Sequence, residues 1–109
     1  MDELVLNKTP TLQDFQKYVY DMKRLRGFKI DKMWDCCLLA EEVGELISAV
    51  RKNNTGGSIG SGSIPGDVKE ELADVFILIL SLANLHGIDL EEAFREKEEK
   101  NKKRTWKRL

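Results

Sequence analysis

A chain of 109 residues with a formal net charge of −1 has room for one domain and a modest core. It has no global field to draw in nucleic acid or a membrane surface. Hydrophobic residues make up 41% of it, enough for a globular fold, yet no apolar run approaches the roughly 18 residues of a membrane span.

The two cysteines, Cys36 and Cys37, would point about 100° apart on a helix. They read as free thiols in a reducing compartment, not as a bridge or a zinc site. The opening MDELVLNKTP has no basic stretch followed by an apolar one, so it does not read as a secretory leader and a cytoplasmic protein is expected.

Thr11 is a good N-cap, with Asp14 three residues on. Leu12, Phe15, Val19 and Met22 recur at helical spacing and predict a helix from about Thr11 to Arg26, stopped by Gly27. After a connector, a second helix is expected from about Met33 to Lys52. Asn53 to Gly66 holds five of the eight glycines, three serines and Pro65 and reads as a loop. A third helix should start after an Asp67 cap and end at Gly87. Asp89 can cap a fourth, from Leu90 to about Arg104. Between Arg95 and Leu109 stand eight Lys/Arg and three Glu, a tail able to bind phosphates. The expected fold is a single all-α domain over residues 1–109.

Two acidic clusters carry the chemistry: Glu41-Glu42-Val43-Gly44-Glu45 and Glu70-Glu71-Leu72-Ala73-Asp74. At about 100° per residue, Glu42 falls inside the apolar face of the second helix, Glu45 near its edge and Glu41 outside it. The third helix is apolar on nearly every side around Asp74, which predicts burial all round. Glu71 shares a face with Asp74, and Glu70 is expected to face solvent. A buried, unpaired carboxylate costs several kcal/mol or becomes neutral, and the apolar faces supply no nearby cation. Four converging acids (Glu42, Glu45, Glu71 and Asp74) therefore call for a hard divalent ion, Mg²⁺ first and Mn²⁺ second. The single histidine, His86, lies in no Glu-x-x-His pair, which argues against a di-iron site.

The paired motif, Glu-Glu-x-x-Glu then Glu-x-x-Asp, resembles that of the MazG-like nucleotide pyrophosphohydrolases. A Gly-Ile-Asp-Leu turn at Gly87–Leu90 and the run Lys97, Asn101, Arg104 resemble the family's third element. The likeness runs from about Leu12 to Trp106. It implies a four-helix MazG-like bundle completed by assembly as a dimer or tetramer. It also implies Mg²⁺-dependent cleavage of a nucleoside triphosphate to the monophosphate and pyrophosphate, a house-cleaning role in nucleotide pools. By position, Glu42, Glu45, Glu71 and Asp74 would be the metal ligands. Thr105-Trp106 stands where relatives often carry an aromatic-proline pair, a departure from the pattern.

Glu41 could orient or deprotonate the attacking water. Lys97, Lys100, Asn101 and Arg104 are candidates for the phosphate chain, and Trp34 and Phe28 for stacking on the base. Each has a plainer reading: a solvated acid, a basic helix end, or core aromatics. Two further readings fit the same motif: phosphoribosyl-ATP pyrophosphohydrolysis, or no catalysis at all in a helical interaction module. Neither stable nucleic-acid binding nor membrane attachment is expected.

Overall fold

The computed structural model describes residues 4–54, 60 and 65–108. Among them are four helices and no strand: α1 (Leu12–Leu25), α2 (Lys32–Asn53), α3 (Val68–Leu85) and α4 (Leu90–Lys102). Most of the Gly/Ser-rich loop expected over 53–66 lies outside the described residues, and Asn53 itself closes α2.

Each helix begins where its cap stands. Thr11 and Asp14 form a reciprocal capping box, satisfying two amide donors that the first turn leaves free. Asp31, Asp67 and Asp89 cap α2, α3 and α4 by accepting from the first-turn amides. α1 and α3 end in turns where Gly27 and Gly87 take φ values of 66° and 65°, a conformation that costs glycine little and other residues much.

The core lies between α1 and α3. Val19, Met22 and Leu80 are buried together, with Phe15, Tyr18, Ile77 and Leu90 packed against them. Phe15 meets Phe76 edge-on, ring centroids 5.6 Å apart. Gln16 ties this layer to α4: its amide donates to Asn84 Oδ1 and the Ile88 carbonyl, and its oxygen accepts from Leu90 N. On the other side α3 packs along α2. The two run in opposite directions, since Asp35 meets Ser81 near one end while Ala49 packs close to Gly66 at the other.

One expectation needs correcting. α3 is not buried all round. Leu72, Phe76 and Ile79 are 54%, 36% and 40% exposed, and Ile47 and Val50 of α2 are also exposed. The reason is geometric: α1 and α2 cover only two sides of α3, and its third side keeps an apolar stripe at i, i+4, i+7 spacing. No single helix among the described residues is long and apolar enough to cross a membrane.

Candidate metal and nucleotide site

α2 and α3 bring the two acidic motifs face to face. Glu42, Glu45 and Glu71 each offer a carboxylate oxygen within 4.8 Å of the others. Asp74 stands one turn along α3 and adds its charge to both Glu42 and Glu71. Glu42 and Glu71 are half-buried, Glu45 and Asp74 exposed. All four were expected to face the interior; instead two lie in the crevice and two at its rim. Glu41 and Glu70 are exposed, as their helical angles predict.

The cluster is uncompensated. Glu42 Oε2 and Glu71 Oε2 are buried and make no hydrogen bond. Burial is the largest cause that pushes the Glu42 carboxyl up to about 7. The charges of Glu45 and Asp74, a hydrogen bond with Glu45 and the charge of Glu71 add to it. Burial, then Glu45 and Asp74, also raises Glu71. Octahedral Mg²⁺ binds oxygens at about 2.1 Å, so opposite ligands sit about 4.2 Å apart. Three carboxylates with oxygens within 4.8 Å of one another, two of them orphaned, need only a small closure to take a hard divalent cation.

Local packing holds the pair of motifs together. Asn53 donates to the carbonyls of Ala49 and Gly66, both at 2.7 Å. This clamp brings Gly66 so close that a Cβ there would lie 3.3 Å from Ala49 Cβ and 3.8 Å from Glu71 Oε1.

Beside the cluster opens a cleft of about 480 Å³. Glu42 and Asp74 line one part of it, Leu38, Ile77 and Leu78 its walls, and Phe28, Lys29 and Trp34 also line it. Trp34 is half-exposed, with Lys29 Nζ 4.9 Å from its ring centroid. Deeper lies a network that sequence reasoning missed. Lys23 of α1 donates to Asp35 Oδ1 and Oδ2 at 3.0 and 2.9 Å and to Ser81 Oγ at 2.7 Å, and Ser81 donates to Asp35. The signal was present: Asp35 is seven residues before Glu42 and Ser81 seven after Asp74, which puts each about 20° from its acidic partner on the helix.

Lys97, Lys100, Asn101 and Arg104 lie on or just beyond α4, which packs against α1, and none of them lines the cleft. Asn101 Oδ1 is buried without a hydrogen-bond partner. Trp106 folds back, its indole donating to the Asn101 carbonyl, with Arg104 5.0 Å from its ring centroid. Cys36 and Cys37 are free and exposed.

Residues 36–109 match the model of the MazG nucleotide pyrophosphohydrolase domain. The chain belongs to the MazG family. A dATP/dGTP diphosphohydrolase from cyanophage S-2L is 40% identical over 70 residues, 64% of this chain and 53% of the relative. The matched part is thus about half the length of that relative. Among solved structures, iMazG from Vibrio DAT 722 is 33% identical with a TM-score of 0.63, over 84% of this chain and 98% of that one. YPJD of Bacillus subtilis, described as a candidate pyrophosphatase, is 26% identical with a TM-score of 0.75, over 91% and 100%. The four helices are therefore the MazG fold, with both acidic motifs inside the matched span.

Proposed function

We propose that this MazG protein hydrolyses nucleoside triphosphates to the monophosphate and pyrophosphate in a Mg²⁺-dependent reaction. The observation that carries the reading is the pair of orphaned carboxylate oxygens on Glu42 and Glu71 at the side of an aromatic-lined cleft. The name of the cyanophage relative supports purine deoxynucleotides as the first substrates to try. A cytoplasmic role in clearing or trimming nucleotide pools accords with that chemistry.

Glu42, Glu45 and Glu71 would hold the cation, with Asp74 adding charge from the rim. When bound, the ion supplies charge neutralisation and Lewis acidity toward phosphoryl oxygens. The chain's own residues do the rest. The carboxylates fix where the phosphates lie, and Trp34 offers an aromatic face for the base. Glu41, exposed beside Glu42, would accept the proton of an attacking water. Displacement of pyrophosphate needs little covalent help beyond such positioning.

The basic residues of α4 fit this scheme through assembly. The apolar stripe Leu72, Phe76, Ile79 supports a homo-oligomer, since exposed apolar surface of this kind marks interfaces. In such an assembly Lys97, Lys100, Asn101 and Arg104 of one copy would approach the triphosphate in the cleft of another. Incubation of the full chain with each of the nucleoside triphosphates, with and without Mg²⁺, tests the reading. Monophosphate and pyrophosphate should appear in equal amounts. Release of inorganic phosphate, or no turnover on any nucleotide, would overturn it.

A further inference from the structure

The cleft has two polar layers with different chemistry. Along α2, seven residues separate Asp35 from Glu42; along α3, seven separate Ser81 from Asp74. At 1.5 Å per residue each interval is about 10 Å. Between the layers the walls are apolar, formed by Leu38, Ile77 and Leu78. That distance is comparable with the reach of an extended nucleoside from its 5′-phosphate to the far edge of its base.

The deep layer is asymmetric in what it can offer. Asp35 and Ser81 also touch the cleft, but they are only 1% and 2% exposed and their side-chain oxygens are engaged with Lys23 and with each other. The Lys23 side chain keeps 11% of its surface and lines the cleft. An ammonium has three N–H donors and no acceptor. Seen from Nζ, the two oxygens of one carboxylate are too close in direction to take separate N–H groups, so Asp35 engages one donor and Ser81 a second, and a third is available to a ligand. The floor thus presents a fixed donor whose neighbouring acceptors are already engaged.

We infer that Lys23 reads the far edge of the base and selects a keto oxygen over an amino group, with Asp35 and Ser81 as its positioning residues. A keto oxygen accepts from the ammonium; an exocyclic amine brings a second donor to the same point and leaves both unpaired. Lysine pairs with guanine O6 in nucleic-acid recognition for this reason, and a site built around one hydrogen bond discriminates strongly against the analogue that cannot make it. The inference rests on the nucleotide reading above and names the base class within it. Guanine, hypoxanthine, thymine and uracil share the required oxygen; adenine and cytosine lack it on that edge.

The test is a kcat/KM panel on the full chain with Mg²⁺, using dGTP, dITP, dTTP, dATP and 2-aminopurine deoxynucleoside triphosphate. The ratio of dITP to dATP compares a 6-keto with a 6-amino purine and should be at least about tenfold. The dGTP and dTTP arms show which keto base fits the cleft. Lys23→Met should bring the dITP/dATP ratio to within about twofold of one. Ser81→Ala, a smaller change, should lower the same ratio partway. A merely structural role would depress all substrates alike and leave the ratio intact. Equal use of dITP and dATP by the unaltered chain, or an unchanged ratio in both variants, would overturn the inference while leaving hydrolysis standing. Absence of turnover on every nucleotide would overturn both.

Discussion

Two polar groups beside the same cleft meet the cost of burying a carboxylate in opposite ways. Asp35 is deeply buried and fully answered: Lys23 and Ser81 supply its hydrogen bonds. Glu42 and Glu71, two turns away, are less buried yet have orphaned oxygens and carboxyls pushed upward. A compensated cluster stabilises itself once formed. An uncompensated one, several carboxylates with no paired cation among the described residues, is held together by the rest of the fold and gains from a ligand. Depth of burial alone does not separate structure from function here; completeness of the hydrogen bonding does.

The largest effects should come from removing one member of either cluster, and their signs should differ. Glu42→Gln and Glu71→Gln should each cut kcat on the order of 100-fold or more, as loss of a single transition-state contact often does. In EDTA both variants should melt above the parent, because each removes a repulsive charge. Asp35→Ala should instead lower stability by about 3–5 kcal/mol, since it strands the Lys23 charge. Urea denaturation measures it. Replacing both partners, Lys23→Met with Asp35→Leu, should recover much of that loss.

A pH series sharpens the contrast at intermediate size. Glu42 is raised from 4.5 to about 7 in the folded state, so folding favours its protonated form. The unfolded chain gives up that proton first. The Glu42 contribution to metal-free stability should therefore be fully present below about 4.5 and be lost as pH rises through about 7. Mg²⁺ should add little to the melting temperature at pH 5 and much more at pH 8, where the site is deprotonated. A metal-free protein whose stability rises over this interval would break the account.

Smaller effects should follow at the edges of the site. Trp34→Ala should raise KM by roughly tenfold, the loss of a stacking face worth about 1–3 kcal/mol per base. Gly66→Ala brings a Cβ within 3.3 Å of Ala49 and should cost about 1 kcal/mol, at the low end of overpacking. Chemical denaturation of this variant alongside its activity would show whether the Asn53 clamp matters to the acids beyond stability.

Much of this was legible in the residues. Caps at Thr11, Asp67 and Asp89, and the glycines at 27 and 87, mark helix boundaries through local chemistry that any tertiary context preserves. The helical angles of Glu41, Glu42 and Glu45 likewise follow from the backbone period. What eluded the sequence depends on which helices meet. Periodicity puts Asp35 and Ser81 on the faces of Glu42 and Asp74, but it does not report that Lys23 of α1 joins them. The exposure of Leu72, Phe76 and Ile79 is also a tertiary matter: an all-apolar helix is read as buried, but only packing says how many neighbours one chain supplies. Lys97 and Asn101 match the family pattern by spacing, while their distance from the cleft is set by the turn at Gly87–Asp89.

Glu42, Glu45 and Glu71 are proposed to form a cation site held open by the fold. Calorimetric titration of Mn²⁺ into the full chain at pH 6.5, in buffers of different ionisation enthalpy, tests it most directly. Saturable binding with release of protons from the cluster is the expected result, abolished in Glu42→Gln/Glu71→Gln. Binding that persists unchanged in that variant, or no binding to the parent chain, would contradict the account.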